Sequence, residues 1–148
     1  MTKDNTVKIM QSIQSELKAP KGQTNKFGGY SYRSAEDILE AVKPLLNKYN
    51  CFLTVSDEIV EVGGRVYVKA TATVHESHSD SIAVTTAFAR EAEVKKGMDD
   101  AQITGSASSY ARKYALNGLF AIDDTKDPDA TNKHGKGKYL PVVTTTEF

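Results

Sequence analysis

The chain has 148 residues, 39% hydrophobic and 26% charged, and its 19 Lys plus Arg balance 19 Asp plus Glu. That length fits one domain around one core, and zero net charge excludes a protein that coats nucleic acid by bulk charge alone. No run approaches the roughly 20 apolar residues of a membrane span, and no apolar segment after Lys3 and Asp4 suggests a secretory signal.

In chain order, Thr6, Met10, Ile13 and Leu17 recur at helical spacing with Ile9 beside them. Residues 6–19 therefore read as an amphipathic helix, stopped by Pro20 and Gly22. Residues 20–33 read as a loop in which Lys21, Lys26 and Arg33 alternate with Phe27, Tyr30 and Tyr32. Cations that follow phosphates, with rings that stack on bases for about 1–3 kcal/mol each, are how proteins hold single strands. The plain alternative is that these rings plug the core. Ser34 and Asp37 have capping-box spacing. They open a helix whose stripe is Ala35, Ile38, Leu39, Val42, Leu45, Leu46 and Tyr49. Pro44 within it predicts a kink or tightened last turns.

The lone cysteine, Cys51, precludes an internal disulfide, fits a reducing cytosol and reads as core beside Phe52 and Leu53. A strand is expected from about Phe52 to Val62, and Gly63-Gly64 predicts a two-residue hairpin. The next strand alternates Val66, Val68, Ala70, Ala72 and Val74 with Tyr67, Lys69, Thr71, Thr73 and His75. After a polar turn from Glu76 to Ser81, a third strand runs from Ile82 to about Arg90. His75 and His78 have no metal-site partners at ligand spacing and read as surface groups.

Lys95, Lys96 and Gly97 lead into a last helix, about Asp99 to Leu116. Ile103, Ala107, Tyr110 and Tyr114 are assigned to one face; Gln102, Ser106, Ser109 and Lys113 to the other. Gly105, Ser106, Ser108 and Ser109 are poor helix formers, Gly by about 1 kcal/mol against Ala. They suit a helix that something approaches closely, either another protein backbone or a nucleic-acid backbone. Serine hydroxyls, Arg112 and Lys113 could serve phosphates.

From Asp123 onward the composition is polar and acidic, so residues 1–122 read as one folded domain and 123–148 as a flexible tail. The tail's Tyr139–Val143 patch and Phe148 are a candidate contact for a protein partner. No phosphate-binding G-x-x-x-x-G-K-[ST] pattern occurs, so no nucleotide or other cofactor is expected. The Asp123–Asp129 run lacks the register of a calcium loop. It reads as solvated tail, with a metal-dependent nuclease as the rival.

Two stretches together resemble a known family. The run from Ala101 to Leu116, AQITGSASSYARKYAL, is similar to the signature of the Erf (essential recombination function) family of phage annealing proteins, near Q-x-x-G-S-x-x-T-Y-x-R-R-Y-x-L. Tyr30 to Leu39, continuing through Lys43-Pro44-Leu45-Leu46, resembles the family's first block, and the resemblance covers about residues 5–130. Ser109 stands for the usual Thr and Lys113 for the second Arg, which keeps the charge but loses a planar fork.

The resemblance implies single-stranded DNA binding, ATP-independent annealing, and rings or helical filaments in the cytoplasm of a bacterial host, without enzymatic chemistry. It also implies a fold similar to the eukaryotic strand-annealing mediators, and Arg112 and Lys113 facing phosphates. Periodicity alone predicts an α+β fold of order α-α-β-β-β-α, a three-stranded antiparallel meander packed with helices. The candidate DNA-binding set is Lys21, Lys26, Tyr30, Tyr32, Arg33, Arg90, Lys95, Lys96, Gln102, Ser106, Ser109, Arg112 and Lys113. Residues 1–122 are then the expected DNA-binding and oligomerisation domain, and the expected partners are single-stranded DNA, the annealed duplex intermediate, further copies of the chain and, through the tail, a host single-strand-binding protein; no membrane is expected. Protection of single-stranded DNA without annealing, and a purely structural oligomer, are the competing roles.

Overall fold

The computed structural model describes residues 3–77 and 81–123. The fold is α+β. Helix α1 (Lys3–Glu16) is followed by short strands β1 (Gln23–Asn25) and β2 (Tyr30–Tyr32) and helix α2 (Ala35–Lys48). Strands β3 (Cys51–Val62), β4 (Arg65–Glu76) and β5 (Ser81–Arg90) and the 20-residue helix α3 (Asp100–Leu119) complete it. The expected meander is present, antiparallel in the order β3-β4-β5. The expected loop at 20–33 instead contains a small antiparallel hairpin, with Gln23 opposite Tyr32 and Asn25 opposite Tyr30. Three-residue strands are too short to show alternation, and the abundant Gly read as loop.

Local chemistry accounts for the elements. Ser34 caps α2 with the anticipated box: Asp37 N–H donates to Ser34 Oγ, and Ser34 N–H donates to the Asp37 carboxylate. That bond to the Ser34 backbone is the main reason Asp37 titrates below its ordinary range. Asp99 and Gln102 form a second box at the start of α3. Gly63 and Gly64 adopt φ of +59° and +77°, the left-handed pair a tight hairpin needs, and they join Val62 directly to Arg65. Pro44 lies inside α2 on an exposed face.

One face of the sheet is dry. Val68, Ala70, Ala72 and Val74 of β4 are wholly buried, and they share a core with Met10 and Ile13 of α1, Leu17 just after it, and Ile38, Val42 and Leu46 of α2. From α3 the core receives Ala107, Ala111, Ala115, Leu116 and Leu119. Alanines on both sides let α3 lie close over β4 and β5. Gly118 is tight as well: a methyl there would stand 3.0 Å from Thr85. Cys51 packs against this core as a free thiol, and burial pushes its pKa up.

The expected helical face of α3 needs correction. Ile103 and Ala107 are buried, but the stripe continues through Ala111 and Ala115, while Tyr110 and Tyr114 are 55% and 42% exposed. Adjacent helical positions lie about 100° apart, so the small Ala111 and Ala115 define the packed face. The tyrosines share a face with Ile103 and Ala107 as expected, but they stand at its solvent side and not in the contact with the sheet.

Candidate nucleic-acid interface

The β1–β2 hairpin is an excursion closed at its base. Arg33 Nε donates to the Ala19 carbonyl at 2.6 Å, and Gln23 Nε2 donates to the Asp37 carboxylate at 3.2 Å. Arg33 is only 8% exposed, which removes it from the set of open phosphate contacts and makes it a clamp for the hairpin. At the hairpin, Tyr30 is 47% exposed, and its ring lies 6.1 Å from that of Tyr32.

The hairpin meets α3 through Lys113. Its Nζ lies 6.0 Å from the Tyr32 ring centre and 5.8 Å from that of Tyr114, within cation–π range. From Tyr114 the outer strip of α3 continues to Tyr110 and Ser106 along an open groove of about 300 Å³. Arg90 and Lys95 stand on its far wall, with Phe88 and Met98. One surface therefore joins Tyr30, Tyr32, Lys113, Ser106, Arg90 and Lys95 of the expected set. It adds Tyr110 and Tyr114, which the sequence placed on one helical face with Ile103 and Ala107 and outside the candidate DNA-binding set. Lys26, Lys96 and Ser109 are exposed, and Lys21 is partly so. Gln102 is exposed too, but its side chain closes the α3 capping box.

Arg112 points elsewhere. Its Nε donates to Asp57 of β3 at 3.1 Å, and Ser108 Oγ donates to the same carboxylate. Burial raises the Asp57 pKa, but the hydrogen bonds from Ser108 and Arg112 and the Arg112 charge outweigh it, and the carboxyl titrates below its ordinary value. The pair stitches α3 to an edge strand. Arg112→Ala is expected to cost about 0.2–1 kcal/mol, as a part-exposed ion pair does. A carboxylate with a lowered folded pKa stabilises above its unfolded pKa, and that contribution disappears as pH falls through the folded value. Denaturant melts of both proteins between neutral and acidic pH should therefore converge at the acid end.

A family model described as the ERF superfamily matches residues 7–146. The chain belongs to the ERF superfamily. It is similar to the protein named Essential recombination function protein of Salmonella phage P22, at 61% identity over 128 residues. That match covers 84% of this chain but 58% of the phage P22 protein, so the chain spans little more than half the length of this relative. No solved structure matches the chain.

The ERF chain's α3 motif can now be divided by what each position touches. Of its small residues, Gly105 has nothing within 4 Å of where a Cβ would stand, so no backbone of its own fold approaches it. Gly105→Ala should therefore raise stability by up to about 1 kcal/mol through helix propensity alone. A thermal melt checks this, and a lower melting temperature would show that Gly105 is packed. Among the described residues, no group of three or more His, Cys, Asp or Glu could hold a metal ion. Of the Asp123–Asp129 run only Asp123 is described, and the tail from residue 124 lies outside the described residues. Among those residues, too, no helix is long and apolar enough to cross a membrane. His75 is stacked on Phe52 at 4.5 Å and hydrogen-bonded to Thr54 Oγ1, a structural surface pair, and His78 lies outside the described residues.

Proposed function

We propose that the protein binds single-stranded DNA and anneals complementary strands without ATP, in phage homologous recombination, as a homo-oligomer in the cytoplasm of the bacterial host. It does so by positioning and not by enzymatic chemistry. The observation that carries this reading is the open surface on which the hairpin rings, Lys113, Tyr114 and Tyr110 run together into a groove bearing Arg90 and Lys95. Family membership and the name of the phage P22 relative support it.

Cations on this surface neutralise phosphates while rings take the faces of the bases. Base edges then stay outward for a second strand, so pairing supplies specificity and the protein supplies geometry. A neutral chain gains affinity by pooling subunits along one strand. The sheet's two edge strands, β3 and β5, offer pairing edges for that assembly. A sheet backed by a long helix is also the arrangement expected of a strand-annealing mediator.

The test follows fluorescent complementary oligonucleotides with and without ATP, with light scattering on the same samples. Faster pairing in the absence of ATP, by particles well above 16.1 kDa, is expected. DNA binding without faster pairing would reduce the function to strand protection. A requirement for ATP hydrolysis, or a monomer with and without DNA, would overturn the mechanism.

A further inference from the structure

Phe27 occupies the tip of the hairpin with its side chain wholly in solvent, at 103% relative exposure. The turn that carries it is built around Asn25. The side-chain oxygen of Asn25 accepts from Phe27 N–H at 2.8 Å and Gly28 N–H at 2.9 Å. Its backbone carbonyl accepts from Gly29 N–H at 2.8 Å, and its Nδ2 donates to the Tyr30 hydroxyl at 2.9 Å. Tyr30 folds over the turn so closely that a methyl on Gly28 would overlap its ring. Gly29, at φ +65°, supplies the left-handed residue. With the Arg33 clamp at the base, the hairpin displays an aromatic ring on a preorganised arm, so little ordering entropy remains to be lost on binding.

The surroundings say what the ring meets. From residue 17 to residue 35 the chain carries Lys18, Lys21, Lys26 and Arg33 and no Asp or Glu, although the whole chain is neutral. The arm leads through Tyr30 and Tyr32 to Lys113. An exposed ring set among cations, tyrosines and polar groups matches a polyanion with flat, stackable faces better than the apolar patch of a protein partner. We propose that Phe27 inserts between consecutive bases of the bound single strand and so sets the nucleotide step at each subunit. This rests on the single-strand reading above and adds a residue and a role to it.

The chain contains no tryptophan, so Phe27→Trp creates a single fluorescent reporter in the full-length protein. Oligothymidylate should roughly halve its emission as the indole stacks, while anisotropy of labelled oligothymidylate reports binding in parallel. Phe27→Ala should weaken binding by about 5- to 150-fold, with melting temperature and particle size unchanged, and Phe27→Tyr should restore it. Unchanged tryptophan emission with intact anisotropy binding would overturn the wedge and leave the single-strand reading standing. If the parent chain fails to bind oligothymidylate, the reading itself falls and the wedge with it. Emission already blue-shifted without DNA, with assemblies lost in Phe27→Ala, would assign the ring to a second copy of the chain and overturn the proposal.

Discussion

Replacing Phe120 with alanine is expected to lower the unfolding free energy by about 3–5 kcal/mol at fixed protomer concentration. Phe120 is 1% exposed and is the largest fully buried side chain of the described residues, although it sits one position past the last residue of α3. Its backbone N–H donates to Leu116 O, and Ala121 turns left-handed behind it at φ +55°. Ile122 N–H then reaches back to Asn117 O, a Schellman closure that aims Phe120 inward. From α1, Gln14 Nε2 donates to Leu119 O and ties the first helix to the end of the last. Removing the ring leaves a cavity where α1 and α3 share the core, and the melting temperature should fall by roughly 10–20 °C. A loss below about 1 kcal/mol in urea melts would show that this end of α3 is frayed in solution.

The paired substitution Tyr110→Ala with Tyr114→Ala should weaken single-strand binding by about 100-fold or more, since each stacked base contributes about 1–3 kcal/mol. Both rings are about half in solvent on the outer strip of α3, so their removal should leave stability within roughly 1 kcal/mol. Phenylalanine at both positions separates the causes: retained affinity means that the ring faces act, and lost affinity means that the hydroxyls donate. Lys113→Ala should behave differently and lower the salt slope of binding by about 0.7 for each phosphate that the ammonium neutralises. Arg112→Ala should leave that slope unchanged, because its guanidinium is committed to Asp57. Unaltered affinity in the double-tyrosine variant, with assemblies intact, would take α3 out of the site and leave the hairpin as the remaining candidate.

The difference between Arg112 and Lys113 shows where sequence reading reached its limit. Composition, the two-residue period of Val66 to Val74, the Gly63-Gly64 turn and the Ser34–Asp37 cap are interactions within a few residues. Each can be read from the order of side chains, and the meander, α2 and α1 followed from them. Membership of the ERF superfamily was likewise legible in the residues of α3. Which of two adjacent cations faces a partner was not, because Asp57 lies 55 positions away and meets Arg112 only when β3 and α3 share the sheet's inner face. The same holds for Arg33, which looks like a surface cation until Ala19 is folded against it. Tyr110 and Tyr114 follow this pattern as well. Periodicity groups them with Ile103 and Ala107, but α3 packs on the sheet through Ala107, Ala111 and Ala115, and both rings lie at the edge of that contact and face solvent. Burial is set by what lies opposite a residue, and a pattern along one element carries no record of that.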